Sequence, residues 1–491
     1  MLFRSQGHYD RLFIGGEWVE PATADRIDVI SPVTEEAIAS VPSGTPVDID
    51  RAVAAARAAF EGGWAASPLE VRTGVLERLR DRIAAATDEI AELITEEMGC
   101  PIAQARSIQL PSALDILDSY IAVAREYPFR EVRRSLSGAT ALVVREPIGV
   151  VAAVTPWNVP LGIPLQKLVP ALLTGCAVVL KPAPETPLTS YFLAELLGQA
   201  GLPPGVVNVV PADRETSEYL VTHRGVDKVT FTGSSAAGRR IAALCGQDLR
   251  RVTLELGGKS AAVVLDDADL GATVEALRMG SFRNNGQICT LKTRVLVSTR
   301  RHDELVERLV ALVESMPVGD PLREATQIGP LVSARQRGVV EGYLEIARGE
   351  GTKVAVGGGR PEGIARGWYV EPTVLTEVEP DMRIAQEEIF GPVLSVLPYS
   401  DEDDAVAIAN NSAFGLSGAV FATDLEHGVE VAARIRTGTV ELNGSPAGLA
   451  APMGGVKWSG IGRENGPEGL DAYVEPKAVG LPPALAKTLA R

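Results

Sequence analysis

Residues 150–181 read VVAAVTPWNVPLGIPLQKLVPALLTGCAVVLK, and this stretch decides the fold. Two short runs of small and β-branched apolar residues, Val150–Val154 and Ala177–Leu180, flank a longer apolar segment, Leu165–Leu173. The short runs predict buried strands, and the longer segment between them predicts a helix. A strand, a helix and a second strand of this kind form the repeating unit of a parallel α/β sheet.

The alternation of strands and helices continues to Leu256. Five strands with helices between them predict a Rossmann-like, doubly wound sheet. A second series of strands and helices, from Ala261 to Leu442, predicts a second α/β domain. Among the helices, the pattern places one at Ser217–His223 and another at Gly428–Ile435. The strands of the first series are Val150–Val154, Ala177–Leu180, Val206–Val210, Lys228–Phe231 and Arg251–Leu256.

Two segments outside these domains are also β-prone. Ala141–Arg145 is followed by Pro147, which ends the strand because proline has no N–H to donate. Ala472–Ala478 lies near the C-terminus and could pair with it, so the first segment is either an edge strand or part of an arm. Apolar residues recur at helical spacing between Ile49 and Arg125, which predicts a helical flank to the first sheet.

The composition bounds the class of protein. A chain of 491 residues is long for one hydrophobic core, which agrees with more than one domain. Hydrophobic residues make up 46% of the chain and charged residues 22%, which excludes wholesale disorder. The formal charge of −16 argues against a nucleic-acid partner, because such a partner is bound by a basic surface.

The positions of the cysteines, histidines and apolar residues argue against a metal site, a signal peptide and a membrane span. The four cysteines have no CxxC spacing and the four histidines are scattered, so we expect no metal site. The N-terminal residues lack the apolar core of a signal peptide, and the most apolar region, residues 148–180, is interrupted by polar residues and prolines. We therefore expect a cytoplasmic protein without a membrane span. The cysteines are Cys100, Cys176, Cys245 and Cys289.

Polar and glycine-rich segments follow the strands of the first unit, where the ligands of such sheets bind. Gly233 and Gly238 would let a pyrophosphate approach a helix N-terminus, with Ser234 as a donor, although ordinary helix capping explains the same residues. Lys181 follows a buried strand directly, so it either meets a ribose or phosphate oxygen or extends its amine to solvent. The segments are Thr155–Asn158, Lys181–Pro184, Thr232–Gly238 and Glu255–Gly258.

Three residue types could supply chemistry. Cys289 closes the polar turn Phe282–Thr290, where it is either a nucleophile or an inert buried residue. Glu255, at the end of an apolar strand, is either a general base or half of a structural salt bridge. The Asn158 amide is either an oxyanion donor or a turn residue. The pattern alone predicts a nucleotide-binding α/β enzyme with a candidate cysteine nucleophile.

Six stretches, in order from about residue 12 to residue 478, together resemble the aldehyde dehydrogenase superfamily. The resemblance implies oxidation of an aldehyde to the carboxylic acid with NAD(P)+. The stretches are Thr155-Pro156-Trp157-Asn158, Phe231-Thr232-Gly233-Ser234, Leu254-Glu255-Leu256-Gly257-Gly258-Lys259, Gly286-Gln287-Ile288-Cys289, Glu387-Glu388-Ile389-Phe390-Gly391-Pro392 and Pro452-Met453-Gly454-Gly455.

The resemblance also implies a role for each of these residues. Cys289 attacks the aldehyde as a thiolate, and the reaction passes through a thiohemiacetal and a thioester. Asn158 and the Cys289 N–H hold the oxyanion, and Glu255 activates the water that releases the acid. Lys181 meets the adenosine ribose, and Glu388 binds the nicotinamide ribose. The implied cofactor-binding residues are Thr155, Pro156, Trp157, Lys181, Pro184, Phe231, Gly233, Ser234, Gly238, Leu256, Gly257, Glu388 and Phe390. The implied substrate tunnel contains Val159, Ile163, Ile288 and Met453, with Gln166 and Leu449 near it.

By the same likeness the chain has three parts. Residues 1–118 and 146–257 form an NAD(P)-binding domain, and residues 258–470 form a catalytic domain. Residues 119–145 and 471–491 form an oligomerisation arm, which implies a homodimer or a homotetramer.

One position departs from the family pattern. NAD-preferring members carry a glutamate three residues after the lysine, which bonds both hydroxyls of the adenosine ribose, and here that position is Pro184. We expect NAD as the cofactor, with NADP as an alternative, because Pro184 places no carboxylate against a 2′-phosphate. The expected tunnel residues include few aromatic residues and no arginine, which favours an uncharged, apolar aldehyde.

Other functions stay open at this point. A CoA-acylating enzyme shares the cysteine but needs no water-activating base, so Glu255 argues against it. A semialdehyde dehydrogenase would act on a carboxylated aldehyde. A non-catalytic member should have lost Cys289, Glu255 or Asn158, and all three are present.

Overall fold

The computed structural model describes residues 9–482 and residue 485 of the chain. Within those residues the chain forms two large sheets, a three-stranded sheet and a two-stranded ribbon, with helices packed around them. The strands are β1 Leu12–Ile14, β2 Glu17–Val19, β3 Arg26–Ile30, β4 Ala37–Pro42, β5 Arg130–Arg134, β6 Thr140–Pro147, β7 Val150–Val154, β8 Ala177–Lys181, β9 Val207–Val209, β10 Lys228–Thr232, β11 Arg251–Glu255, β12 Ser260–Val264, β13 Lys292–Ser298, β14 Lys353–Val356, β15 Thr373–Thr376, β16 Val393–Tyr399, β17 Ser417–Phe421, β18 Thr439–Leu442, β19 Gly460–Ile461 and β20 Val474–Leu481. The α-helices are α1 Pro46–Ala59, α2 Leu69–Ala85, α3 Thr87–Met98, α4 Ile102–Gln104, α5 Leu110–Glu126, α6 Gly162–Thr174, α7 Leu188–Gln199, α8 Arg214–Thr222, α9 Ser235–Gln247, α10 Leu270–Phe282, α11 His302–Glu314, α12 Ala334–Gly349, α13 Arg383–Gln386, α14 Glu402–Asn410, α15 Leu425–Ala433 and α16 Gly466–Asp471.

The first sheet contains the five predicted strands, and the α/β prediction is confirmed. Its order is β19-β11-β10-β7-β8-β9-β1-β2, and β7 to β11 run parallel. Strands β1 and β2 extend one edge antiparallel, and the short β19 extends the other. The carboxyl ends of the parallel strands therefore meet at one edge of the sheet, as the sequence predicts.

Helices cover both faces of this sheet. In β7 the side chains of Val151 and Ala153 belong to one hydrophobic core, and those of Val150 and Ala152 belong to another. All four are fully buried, since successive side chains of a strand point to opposite faces. The run of small and β-branched residues in this strand follows from that burial on both sides.

The second sheet has the order β14-β15-β16-β13-β12-β17-β18, and only β14 runs antiparallel to its neighbour. The predicted strands of the second series belong to it. The sequence pattern assigned no elements between Glu314 and Val393, where the structure has α12, β14, β15 and α13. In the part of the chain that the structure describes, no helix is both long and apolar enough to cross a bilayer.

Two helices begin earlier than their apolar spacing predicts. The helix predicted at Ser217–His223 spans Arg214–Thr222, and the helix predicted at Gly428–Ile435 spans Leu425–Ala433. In each case an aspartate, Asp213 or Asp424, accepts a hydrogen bond from a backbone N–H three residues later. Such a side chain caps the free N–H groups of the first turn and sets the start of the helix.

The three-stranded sheet confirms one pairing that the sequence suggested. β20 pairs antiparallel with β6, from Val474 opposite Pro147 to Leu481 opposite Thr140, and β5 lies on the other side of β6. The predicted boundaries at residues 118, 145, 257 and 470 remain predictions, although β19 returns to the first sheet before residue 470. The parts of those ranges at 1–8, 483–484 and 486–491 lie outside the described residues.

Candidate active site

The candidate nucleophile follows a turn with an unusual backbone. Helix α10 ends at Phe282, and Asn284, Asn285 and Gly286 have φ angles of 53°, 61° and 76°. Residues other than glycine seldom adopt this left-handed conformation, and they keep it only where surrounding contacts hold it. A Cβ on Gly286 would lie 2.1 Å from the carbonyl carbon of Gly391, so glycine is required there.

Buried amide groups hold this turn in place. The Asn285 Nδ2 donates to the carbonyl oxygens of Gly99 and Pro330 at 2.9 and 2.8 Å. The Asn285 Oδ1 accepts from the Gly329 N–H at 2.7 Å. Because all these atoms are buried, loss of any one bond would leave a polar group without a partner. The network therefore fixes the backbone that leads to Cys289.

Asn158 lies against the same turn. Its side-chain Nδ2 donates to the backbone carbonyl oxygen of Gln287 at 2.9 Å. Its backbone carbonyl oxygen accepts from the Asn284 Nδ2 at 3.0 Å. The side-chain amide has two N–H groups, so one of them remains for a ligand. Asn158 and Cys289 line the same two cavities. The structure therefore brings the expected oxyanion donor close to the expected nucleophile.

Cys289 stands where those two cavities meet. One cavity, of about 410 Å³, lies at the carboxyl edge of the first sheet, and the other, of about 530 Å³, lies beside α5. Burial, followed by the negative charges of Glu388 and Glu255, raises the pKa of the Cys289 thiol to about 12. The positive charge of Arg283 lowers the same pKa. Only the thiolate is a strong nucleophile, so the neighbouring charges decide the reactivity of this cysteine.

Glu255 ends β11 and is 3% exposed. Within the described chain neither of its carboxylate oxygens has a hydrogen-bond partner. Burial, and then the charge of Glu464, raises the pKa of Glu255 well above its usual value, while Lys167 and Arg463 lower it. Its Oε1 would lie 2.7 Å from a Cβ on Gly454. A buried carboxylate with free lone pairs and a raised pKa is suited to take a proton from water.

A buried ion pair near Glu255 has no counterpart in the sequence predictions. Lys167 Nζ lies 2.7 Å from Glu464 Oε1, and the two side chains are 0% and 4% exposed. Lys167 also donates to the Thr230 Oγ1 at 3.3 Å. A lone lysine inside the apolar helix α6 is a signal that a buried partner exists. The identity of that partner cannot be inferred locally, since Glu464 is 297 residues away in the chain.

The cavity at the sheet edge, called the cofactor cleft below, collects most of the residues expected to bind a dinucleotide. Pro184 and Gly238 do not line it. Gly238 instead packs under Leu256, where a Cβ would come within 2.5 Å of the leucine side chain. In the described chain no group of three or more His, Cys, Asp or Glu side chains is placed to hold a metal ion. The expected residues that line the cleft are Thr155, Pro156, Trp157, Lys181, Phe231, Gly233, Ser234, Leu256, Gly257, Glu388 and Phe390.

One end of the cleft fits a pyrophosphate. Helix α9 begins there, and the Ser234 Oγ accepts from the Ala237 N–H at 3.3 Å. The other N–H groups of the first turn and the helix dipole favour an anion. A Cβ on Gly233 would lie 2.5 Å from the Phe231 ring, so glycine is needed beside the helix start. These observations fit the expected contact with a dinucleotide.

Lys181 lies deeper in the cleft with an acidic neighbour. Burial lowers the pKa of Lys181 to about 8, and the charges of Glu185 and Asp213 raise it. Glu185 lines the cleft, whereas the neighbouring Pro184 does not. The family pattern places its carboxylate at position 184, so it does not predict Glu185, which lies one residue later in the chain.

The opposite end of the cleft is shaped by Glu388 and Phe390. Glu388 Oε1 accepts from the Gly258 N–H at 2.8 Å, and a Cβ on Gly257 would lie 2.1 Å from Glu388 Oε2. Burial raises the pKa of Glu388 to about 7. The Phe390 ring meets the Trp157 ring edge to face at 5.4 Å, which makes an apolar wall beside Glu388.

The second cavity, called the substrate cavity below, contains every residue expected in the substrate tunnel. They share its wall with further apolar side chains from α5 and from the segment before β19. The expected residues are Val159, Ile163, Ile288 and Met453, together with Gln166 and Leu449. The added apolar residues are Ile108, Pro111, Ile116 and Pro452.

The substrate cavity also contains charged residues that the sequence prediction did not include. Arg283 lines the substrate cavity, as do Asp115 and Glu441. The left-handed turn after Arg283 reverses the chain, so a residue six positions before Cys289 faces the same space as the cysteine. Sequence spacing does not reveal this, because the backbone path through the turn depends on contacts with distant segments.

Comparison with known proteins agrees with this site. A family model described as the aldehyde dehydrogenase family matches residues 18–479. A geranial dehydrogenase from Castellaniella defragrans is 47% identical over 472 residues, which cover 96% of this chain and 98% of that protein. A 3-succinoylsemialdehyde-pyridine dehydrogenase from a Pseudomonas species is 42% identical, with 96% of this chain and 98% of that protein covered.

Solved structures show the same architecture. An aldehyde dehydrogenase from Mycobacterium tuberculosis in complex with NAD+ superposes with a TM-score of 0.95 at 44% identity, covering 96% of this chain and 98% of that one. A mutant of aldehyde dehydrogenase C from Pseudomonas syringae, in complex with NAD+ and octanal, superposes with a TM-score of 0.94 at 41% identity, covering 97% of each chain. The chain therefore belongs to the aldehyde dehydrogenase family.

Proposed function

We propose that this member of the aldehyde dehydrogenase family oxidises an uncharged, apolar aldehyde to its carboxylic acid with NAD+. The observation that carries the proposal is the place of Cys289 at the junction of the cofactor cleft and the substrate cavity. A nucleophile at that junction can bind an aldehyde that enters through the substrate cavity. The reacting carbon of the aldehyde then faces the cofactor cleft. Proximity of this kind supplies much of the rate of an enzymatic reaction.

The first step forms a bond between the Cys289 sulfur and the carbonyl carbon of the aldehyde. The carbonyl oxygen gains negative charge as its π bond opens. The free N–H of the Asn158 amide and the backbone N–H of Cys289 donate to this oxygen and stabilise the thiohemiacetal. Asn158 can do so without moving, because its bond to the Gln287 carbonyl oxygen fixes the amide.

When bound, NAD+ would supply the hydride acceptor, and loss of hydride from the former aldehyde carbon would turn the thiohemiacetal into a thioester on Cys289. Lys181 and Glu388 both line the cleft, where they would meet the adenosine ribose and the nicotinamide ribose. The Phe390 loop has a left-handed φ of 57°, and Gln336 Nε2 donates to the Phe390 carbonyl oxygen at 2.8 Å. This support keeps the apolar wall of the cleft beside the reacting carbon.

Release of the acid needs an activated water. Glu255 takes a proton from that water, the hydroxide adds to the thioester carbonyl, and the Cys289 sulfur leaves as the thiolate. The free carboxylate oxygens of Glu255 support this role, and so does its raised pKa. The Lys167–Glu464 pair lies close enough for its charges to tune that pKa.

The apolar side chains of the substrate cavity support an apolar substrate. The names of two similar proteins point the same way, since one is a geranial dehydrogenase and the other was solved with octanal. Burial of an alkyl chain in such a cavity contributes about 0.8 kcal/mol for each methylene group. A longer chain should therefore lower KM until the cavity is filled.

The second candidate is a carboxylated semialdehyde. Arg283 in the substrate cavity favours it, because a guanidinium pairs well with a carboxylate. A similar protein named for a semialdehyde substrate also favours it. The exposed Asp115 argues against a carboxylated substrate, because its negative charge lines the same cavity.

Glu185 supports NAD+ over NADP+. Its carboxylate lines the cofactor cleft and its charge acts on Lys181, which is proposed to meet the adenosine ribose. A carboxylate there can accept from the 2′-hydroxyl of NAD+ and would repel the 2′-phosphate of NADP+. We propose that Glu185 compensates for Pro184.

We further propose that the chain works in the cytoplasm as a homodimer or homotetramer. The three-stranded sheet of β5, β6 and β20 is the candidate arm, since several of its side chains are exposed in the single chain. Light scattering of the purified protein at several concentrations measures the assembly. A monomer at all concentrations would contradict this part of the proposal.

Turnover on a panel of aldehydes tests the proposed function. Octanal, geranial, betaine aldehyde and succinic semialdehyde are each supplied with NAD+ or NADP+, and reduced cofactor is followed by absorbance. We expect the highest kcat/KM with octanal or geranial and NAD+. Cys289→Ala should abolish turnover, whereas Cys245→Ala, a buried cysteine elsewhere, should leave it unchanged. Undiminished turnover in Cys289→Ala would contradict the mechanism, and a preference for the semialdehyde would contradict the substrate class.

A further inference from the structure

We infer that Arg283 is a positioning residue for this reaction, and that its guanidinium acts through Cys289 by favouring the thiolate over the thiol. The inference rests on the proposed role of Cys289 as the nucleophile. It assigns a function to a residue that lies outside all six stretches that resemble the family.

The position of Arg283 follows from the turn that it begins. Its Nη2 donates to the Thr290 Oγ1 at 3.3 Å, across the reversal of the chain. Thr290 is the residue after Cys289, and all three side chains line the substrate cavity. The guanidinium is thus tied to the immediate neighbour of the nucleophile. Within the described residues its other N–H groups have no hydrogen-bond partner, so they can act toward the cavity.

Arg283 lies near an ion pair between Lys292 and Glu441, and the three groups together carry a net positive charge. Lys292 Nζ lies 2.6 Å from Glu441 Oε1, with the two side chains 4% and 22% exposed. The charge of Glu441 raises the pKa of both Arg283 and Lys292, because both cations lie near this one carboxylate. Two cations and one anion give a net positive charge on this side of Cys289.

Of the other charges that act on the Cys289 thiol, those of Glu388 and Glu255 are negative, whereas the cations Lys181 and Arg335 line the cofactor cleft. Glu388 comes from the loop after α13, and Glu255 comes from the end of β11. Both disfavour a thiolate, and burial disfavours it further. Asp115, on α5, is exposed at the cavity, so water and salt screen its charge. Arg283 is therefore the cation that opposes two buried carboxylates.

A different role for Arg283 would be to bind a carboxylate of the substrate. That role predicts an effect on KM for a carboxylated aldehyde and none on the protonation of Cys289. The two roles are separated by a measurement on the enzyme without substrate. Alkylation of the thiolate is such a measurement, since iodoacetamide reacts with the thiolate and not with the thiol.

The rate of Cys289 alkylation is measured from pH 5 to pH 11 in the full-length enzyme with and without Arg283→Met. This range lies below the thiol pKa of about 12, where the rate is proportional to the thiolate fraction, so the difference in midpoint between two enzymes is obtained from the ratio of their rates. Mass spectrometry of the Cys289 peptide separates it from the buried Cys100, Cys176 and Cys245, and Cys289→Ala gives their background. Removing one charge in a partly buried site should raise the midpoint by roughly one pH unit, so the thiolate fraction near neutral pH falls about 10-fold. Arg283→Lys should keep the midpoint close to that of the unmodified enzyme.

A matched control comes from the preceding helix. Arg278 lies on α10 and pairs with Glu275 at the surface, so Arg278→Met should leave the midpoint unchanged. Glu441→Gln is a second variant, which should lower the midpoint because it removes the anion beside Arg283 and leaves both cations. It keeps the proposal testable if Arg283→Met does not fold, as judged by circular dichroism.

An unchanged midpoint in a folded Arg283→Met enzyme would overturn the inference. An unchanged midpoint together with a higher KM for succinic semialdehyde would replace it with the substrate-binding role. The test does not depend on turnover, because it reports the thiolate whether or not the enzyme oxidises an aldehyde. Turnover by Cys289→Ala, in contrast, would defeat the proposed function itself.

Discussion

Replacement of Glu464 by glutamine should make Glu255 a weaker base with a lower pKa. Glu464 pairs with Lys167, and its negative charge is the largest electrostatic contribution that raises the pKa of Glu255. Glutamine removes that charge and leaves the positive charge of Lys167 uncompensated. Both changes favour the ionised carboxylate of Glu255, so the direction of the shift is downward.

The size of the shift follows from Coulomb's law. Removing a unit charge at a separation on the order of 4–8 Å, at an effective dielectric constant of about 20, changes the energy of an ionised carboxylate by about 2–4 kcal/mol. Since a tenfold change in a protonation equilibrium corresponds to about 1.4 kcal/mol, the pKa of Glu255 should fall, and the acid limb of the release step should move to lower pH by roughly 2 pH units. Breaking a buried pair costs about 3–5 kcal/mol of folding free energy, so the thermal midpoint must be measured first.

The assay is a single turnover followed by chemical quench, in which release of the carboxylic acid is measured across the pH range. This step should stay active to lower pH in Glu464→Gln than in the unmodified enzyme, because Glu255 keeps its ionised form there. Lys167→Met should shift the same acid limb upward, since it leaves Glu464 unpaired beside Glu255. Glu146→Gln, which removes the exposed partner of Lys477, should change nothing. An unchanged or raised acid limb in folded Glu464→Gln would refute the reasoning.

Two further predictions concern the cofactor and the turn. Glu185→Gln should raise kcat/KM with NADP+ about 10-fold, by removing a carboxylate that repels the 2′-phosphate, while NAD+ changes less. Steady-state kinetics with both cofactors measure the ratio, and an unaltered ratio would contradict the role of Glu185. Gly286→Ala should lower the free energy of unfolding by about 2 kcal/mol or more, because alanine meets the Gly391 backbone at a left-handed φ. Gly246→Ala, where a Cβ meets open space on α9, is the control for urea denaturation, and equal losses in both variants would contradict it.

Much of the fold is predictable because its first sheet is buried on both faces. Strands such as Val150–Val154 and Ala177–Lys181 are apolar on both faces, apart from Lys181 at the end of the second, and that leaves a clear local pattern. Helix α12 is less clear, because only Val340, Leu344 and Ala347 of its sixteen residues are buried. A helix with so narrow an apolar stripe is easily overlooked in a single sequence.

The sequence predicts those site residues that directly follow the strands of the first sheet. Parallel strands bring their carboxyl ends to one edge, so the expected cofactor residues collect in one cleft. Residues that depend on long-range contacts were missed. Glu464 pairs with Lys167, which is remote in sequence, and Arg283 faces Cys289 only because an asparagine turn reverses the chain. Contacts of this kind leave no local pattern.

The covalent state of Cys289 during turnover tests the central claim most directly. Glu255→Gln keeps the nucleophile but removes the base, so the thioester should form and persist, while steady turnover falls by about 10²–10⁴-fold. The variant is mixed with octanal and NAD+, quenched in acid, digested and measured by mass spectrometry. We predict one equivalent of reduced cofactor and an octanoyl group on the Cys289 peptide. An unmodified Cys289, or an acyl group on another residue, would contradict the account.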